Sequence, residues 1–171
     1  MTEIQQALVR PENNGVWIAT CEGELISDQL IELASSGFQV TSIDGRDARS
    51  VSPLMTKIAR GLDFPDYFGA NWPAMDECLT DLDWLMPLAG VVVLFTNAID
   101  VLADESETQL KSLANVLLDA VRSFQHPIAD GQAWDRPAIP FNVVLQVSFS
   151  DVDEIELRWS QAGIDLRSLR A

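Results

Sequence analysis

The chain has 171 residues, 47% of them hydrophobic, which predicts one folded domain and argues against disorder. With 11 basic and 26 acidic residues, its formal net charge is −15. Because phosphate binding depends on Lys and Arg, this charge argues against nucleic acid as a direct partner and favours a basic partner instead.

The N-terminal third predicts a strand, a helix and a second strand. Residues 16–20 have strand character, Ser27 is a predicted N-cap of a helix that ends at Gly37, and residues 38–43 form the next strand. This order is typical of a βαβ unit with parallel strands. We therefore expect residues 16–20 to join the main sheet rather than form a separate domain.

The rest of the chain predicts alternating helices and buried strands. A helix starts near Ser52, and five consecutive apolar residues at 91–95 are typical of a strand buried on both faces. The longest helix is predicted over residues 110–124, and a strong strand over 141–149. Between these two, residues 126–140 contain three prolines and predict a surface loop.

The C-terminal tail fits two patterns. Val152, Ile155 and Trp159 have helical spacing after a possible cap at Asp151, whereas Ile155, Leu157 and Trp159 also alternate as in a strand. We expect the helix.

The most informative stretch, residues 64–84 (FPDYFGANWPAMDECLTDLDW), predicts a turn followed by a short helix. Gly69 is expected to let the chain bend, Asn71 is a good N-cap, and Pro73 is tolerated in the first turn. The helix has two faces. Its apolar positions are Met75, Cys78, Leu79, Leu82 and Met86, and its polar face carries Asp76, Glu77, Thr80 and Asp81, beside Tyr67, Phe68 and Trp72.

The acidic residues are unevenly spread, because residues 61–110 hold ten of them and no Lys or Arg. From charge alone, a solvated surface and a binding surface for a basic partner are equally supported. Asp76, Glu77 and Asp81 could also hold Mg²⁺ or act as acid and base, although residues on one helix turn rarely converge on an ion. The single histidine, His126, lies in a loop, and the sequence shows no Cys–His pair, nucleophile elbow, phosphate-binding glycine loop or zinc-ligand spacing.

The sequence PDYFGAN at residues 65–71, followed by a helix with DECL, resembles the barstar family of protein inhibitors of barnase-type ribonucleases. The match runs without an evident gap over residues 43–85 and includes IDG at 43–45 and RSVSPL at 49–54. A weaker match continues to the strand at 142–147. The loop at 126–140 is longer than the family usually has there.

The resemblance implies a site that binds a protein. Glu77 falls where the central Asp of the family anchors the catalytic cluster of the enzyme, and Asp119 corresponds to an acid on a later helix. The sequence departs from the family at Pro73, which replaces a contacting Asp, and at Asp76 and Leu82, which replace Trp residues; these changes bear on which target is bound. The predicted partner-binding residues are Tyr67, Asn71, Trp72, Pro73, Ala74, Asp76, Glu77, Thr80, Asp81 and Asp119.

The resemblance also implies an α/β fold with a barstar-like three-layer arrangement. A small, mostly parallel β-sheet is expected to be packed with helices and to carry an added N-terminal strand-helix unit. The single domain, 1–171, would consist of an N-terminal extension (1–37), a barstar-like core (38–149) and a C-terminal tail (150–171).

The function implied is that of an intracellular ribonuclease inhibitor, which blocks the basic active-site cleft with an acidic helix that imitates RNA phosphate. Two alternatives stay open: an immunity or regulatory protein for a different basic nuclease or toxin, and, less favoured, a carboxylate metal enzyme. Two cysteines, Cys21 and Cys78, do not make a disulfide scaffold, and no signal peptide or membrane-spanning run is visible. We therefore expect a cytoplasmic protein with no membrane partner and no cofactor.

Overall fold

A computed structural model describes residues 2–20, 23–86 and 88–169, which contain six α-helices and five β-strands. None of the helices in these ranges combines the length and apolar character needed to cross a membrane. The helices are α1 (Glu3–Leu8), α2 (Gly23–Ser35), α3 (Val51–Gly61), α4 (Trp72–Asp81), α5 (Glu107–Gln125) and α6 (Val152–Gln161). The strands are β1 (Gly15–Ala19), β2 (Phe38–Asp44), β3 (Gly90–Thr96), β4 (Phe141–Gln146) and β5 (Arg167–Leu169).

All five strands form one parallel sheet in the order β2-β3-β4-β1-β5. The prediction that the first strand joins the main sheet is therefore confirmed. The prediction of a βαβ unit is wrong in one respect, because β3 and β4 separate β1 from β2. Every residue of β1 is buried, so it needs a neighbour on each side, whereas β2 is mostly half-buried or exposed and suits an edge.

Helices cover both faces of the sheet. Successive strand residues point to opposite faces, so Trp17 and Val92 pack towards α1 and α2, while Val16 and Val93 pack towards the other four helices. The predicted three-layer α/β fold is confirmed.

The predicted start of α2 is wrong, because this helix begins at Gly23 and Ser27 lies inside it. Ile26 is buried on the same helix face as Leu30 and Leu33, so the apolar stripe already starts before Ser27.

The C-terminal tail is part of the sheet and its covering layer. The helix predicted there is confirmed as α6, which buries Ile155 and Trp159. The short strand β5, which pairs with β1, was not predicted. Its three residues are too few to show a period of two.

Candidate partner-binding site

Asn71 is the N-cap of α4, as predicted. The Oδ1 of Asn71 accepts a hydrogen bond from the backbone N–H of Ala74 (2.9 Å), and its Nδ2 donates to the carbonyl of Gly69 (3.3 Å). Pro73 stands at the second helical position, where the N–H that it lacks has no helical acceptor. Asn71 therefore holds the preceding loop against the first turn of α4.

The bend before α4 is made at Ala70, so the role expected for Gly69 is wrong. Ala70 has a φ of 50°, in the left-handed region, where a residue with a Cβ costs roughly 1–2 kcal/mol. Gly69 instead leaves room for the side chain of Asn71, because a Cβ at position 69 would lie 3.1 Å from the Nδ2 of Asn71. The loop thus holds strained backbone beside the predicted binding residues.

The aromatic side chains of the loop divide into one exposed ring and two packed ones. Tyr67 is 72% exposed. Phe68 packs edge-on against Phe64 with ring centroids 5.1 Å apart, which agrees with the structural role expected for it. Trp72 is half-buried, and its Nε1 donates to the Oε1 of Gln109 on α5 (2.8 Å). Of the two aromatic contacts predicted, Tyr67 therefore offers far more free surface than Trp72.

The two predicted faces of α4 are present. Met75, Cys78, Leu79 and Leu82 are buried. On the other side, Glu77 and Asp81 are exposed. Thr80 is half-buried and its hydroxyl donates to the carbonyl of Asp76 (2.8 Å), so it is turned onto its own helix.

Asp76 and Asp119 bring two carboxylates together across the contact between α4 and α5. The Oδ1 of Asp76 is buried and finds no hydrogen-bond donor among the described residues. Burial raises the pKa of Asp76, and the neighbouring charge of Asp119 raises it further by repulsion. Asp119 also lies 3.9 Å from the guanidinium of Arg122. When both carboxyls are ionised, Asp76 therefore presents a partly desolvated negative charge.

Asp76→Asn is expected to stabilise the fold at neutral pH, by about 1 kcal/mol or about 2–4 °C in Tm. The pKa of Asp76 is raised in the folded state, so its stabilising contribution is present below the unfolded pKa and lost as pH rises through the folded pKa. The gain should therefore be seen at pH 7 and vanish near pH 3. Thermal unfolding at both pH values measures this gain, and Asp28→Asn, at an exposed position on α2, is the control. An equal difference at both pH values would contradict the prediction.

Arg136, which sequence reasoning missed, lies near Asp81 at the end of α4. Its guanidinium lies 4.2 Å from the ring centroid of Phe124, and its Nη2 donates to the carbonyl of Ser123 (2.9 Å). Burial and the charge of Asp83 raise the pKa of Asp81, and the positive charge of Arg136 partly opposes this. No local pattern could have placed Arg136 here, because it comes from the distant loop 126–140.

The metal alternative finds no support in the geometry of the described residues. Within residues 2–20, 23–86 and 88–169, no group of three or more His, Cys, Asp or Glu side chains is arranged to hold a metal ion. Asp76, Glu77 and Asp81 therefore do not converge on a common point.

A comparison with family models confirms the resemblance to the barstar family. The family model described as Barstar (barnase inhibitor) matches residues 38–146. The chain belongs to the barstar family. A protein of Bacillus subtilis (strain 168) named "Putative ribonuclease inhibitor YrdF" is 35% identical over 89 residues, which are 52% of this chain and 87% of that protein.

The barstar match covers β2, β3, β4, α3, α4 and α5. The strands outside it, β1 and β5, continue the sheet beyond β4, and α1 and α2 add a helical layer on one face. The division at residues 37 and 149 stays a prediction.

Two solved structures resemble the chain at low identity. Cdc6p from Pyrobaculum aerophilum has a TM-score of 0.53 and 17% identity, covering 96% of this chain. The ORC2 protein from Aeropyrum pernix has a TM-score of 0.54 and 16% identity, covering 99% of this chain. The matches span 41% and 46% of those two proteins, and at this identity they show a shared fold alone.

Proposed function

We propose that the chain inhibits a ribonuclease by placing an acidic face in the basic active-site cleft of the enzyme. This acidic face consists of Asp76, Glu77 and Asp81 on α4 and Asp119 on α5. The observation that carries the proposal is that the charges of Asp81 and Glu77 act on the exposed Tyr67, in the region that matches the family of barnase inhibitors.

The chemistry of such a cleft suits these side chains. A ribonuclease cleft that holds an RNA phosphate does so with Arg, Lys or His, and a carboxylate can take the same charge-assisted hydrogen bonds. Glu77 extends into solvent and can reach such a cluster. The ring of Tyr67 would help to exclude water from these charge pairs.

The direct test is a titration of RNA cleavage. A panel of purified barnase-type ribonucleases is mixed with increasing amounts of the chain, and the remaining activity is measured. We expect activity of at least one enzyme to be lost near an equimolar ratio. Full activity of every enzyme at tenfold excess would overturn the proposal.

A different basic nuclease is the second candidate target, favoured by the departures from the family pattern. Leu82 stands where the family has a contacting Trp, and it is fully buried after the last turn of α4. This chain therefore lacks the Trp contact. It also lacks a contacting carboxylate of the family, because the exposed Pro73 stands in place of an Asp. The same titration with basic DNase toxin domains tests this candidate, which inhibition of those enzymes and not of ribonucleases would support.

The rate of association should fall steeply as salt is added. A chain with a net charge of −15 attracts a basic enzyme over a distance set by the Debye length, which shrinks from about 30 Å at 0.01 M to about 8 Å at 0.15 M salt. We expect the association rate constant to fall roughly tenfold or more over this range, with a much smaller change in dissociation. Stopped-flow mixing measures both rates. A flat association rate would exclude an electrostatically steered encounter.

A further inference from the structure

The loop at residues 126–140 contains a small, internally braced hairpin. Ile128 and Arg136 exchange two backbone hydrogen bonds, of 2.9 and 3.0 Å. The carboxylate of Asp135 accepts from the backbone N–H groups of Asp130 (2.9 Å) and Gly131 (2.8 Å). We call residues 128–136 the Trp134 hairpin. These bonds close the hairpin at its base and at its tip, so contacts within the chain hold its conformation without a partner.

The base of the Trp134 hairpin is fastened next to the acidic face. Arg136 stacks on Phe124 and donates to both the carbonyl (2.9 Å) and the hydroxyl (3.2 Å) of Ser123. The hydroxyl of Ser123 in turn donates to the carbonyl of Thr80 in α4, at 3.4 Å. The charge of Arg136 also reaches Asp81. The base of the hairpin is therefore linked through Ser123 to the last turn of α4.

Trp134 is the residue that this hairpin presents. Its side chain is 57% exposed, and it makes no hydrogen bond or ring contact with the residues that the structure describes. It lies two residues from Arg136, so their Cα atoms are at most about 7 Å apart. An exposed indole on a rigid support is typical of residues that dominate protein interfaces, because it buries much apolar area and loses little conformational freedom.

We propose that Trp134 is a second anchor for the same nuclease that the acidic face binds, with its indole in an apolar recess beside the basic cleft. This inference rests on the proposed function. The same partner is implied because Arg136, two residues from Trp134, is linked through Ser123 to Thr80 in α4 and its charge acts on Asp81. The charge also fits, since the hairpin carries Asp130 and Asp135, while its one cation is already engaged by Phe124 and Ser123.

Trp134→Ala tests the inference through affinity for the enzyme that the wild-type chain inhibits. We expect the dissociation constant to rise at least tenfold and Tm to stay unchanged, because the indole has no polar or ring partner within the described fold. Trp134→Phe should recover part of the loss. Ile31→Ala is the control, since Ile31 is exposed to a similar extent but lies on α2, across the sheet from α4. Its affinity should equal that of wild type.

Hydrogen exchange in the complex provides a second readout. Backbone amides of residues 130–135 should exchange more slowly when the ribonuclease is bound. Unchanged exchange there, or wild-type affinity of Trp134→Ala while Glu77→Gln binds weakly, would overturn this inference and leave the proposed function standing. Failure of the wild-type chain to inhibit any enzyme of the panel would overturn the proposed function and this inference together.

Discussion

Glu77→Gln is expected to weaken inhibition of the ribonuclease by well over tenfold and to leave thermal unfolding nearly unchanged. Glu77 is exposed on α4, and its carboxylate makes no hydrogen bond or ion pair with the described residues. Changing such a surface charge usually alters stability by less than about 0.5 kcal/mol. Removing one partner of a desolvated charge pair costs about 2–5 kcal/mol in protein complexes, the barnase–barstar complex among them, and each 1.4 kcal/mol is a factor of about ten.

The control for Glu77→Gln must remove one negative charge elsewhere. Asp28→Asn does so on the exposed side of α2, across the sheet from α4, and should inhibit like wild type. Glu77→Asp keeps the charge and should retain most of the binding, unless the enzyme has a deeper cleft that suits the longer side chain. The measurement is a titration of RNA cleavage with all four proteins. Equal inhibition by wild type and Glu77→Gln would show that the acidic face is not the inhibitory element.

Asn142→Ala is expected to lower the free energy of unfolding by about 3–5 kcal/mol. Asn142 is 0% exposed in β4. Its Oδ1 accepts from the Nε1 of Trp17 (2.8 Å) and the N–H of Gly15 (3.2 Å), and its Nδ2 donates to the carbonyl of Leu8 (3.0 Å). The substitution would leave two donors and one acceptor buried without partners, and each such group costs about 1–3 kcal/mol.

Urea unfolding followed by circular dichroism measures this loss. Asn115→Ala, at an exposed position in the middle of α5, is the matched control, and it should change stability by no more than about 0.5 kcal/mol. A loss below about 1 kcal/mol for Asn142→Ala would mean that these bonds do not hold the N-terminal segment to β4.

Features that depend on neighbouring residues could be predicted from the sequence alone. The cap at Asn71 needs only the backbone of Ala74 three residues later, and the buried side of α4 follows from the spacing of Met75, Cys78 and Leu79. The family resemblance also rested on neighbouring residues, the turn at 65–71 and the helix that follows it. The exposed position of Glu77 followed in the same way, because it lies on the helix side opposite the apolar stripe.

Contacts between distant parts of the chain were decided only by the tertiary structure. A strand pattern specifies which residues face the core but not which strand lies alongside, so neither the place of β1 beside β4 nor the pairing of β5 could be predicted. Asp76 has an ordinary polar position on α4, and its raised pKa arises only because folding buries it beside Asp119. Arg136 lies in a loop whose sequence carries no periodic signal, and its partners Phe124 and Ser123 are at the end of α5, so the sequence gives no sign of these contacts.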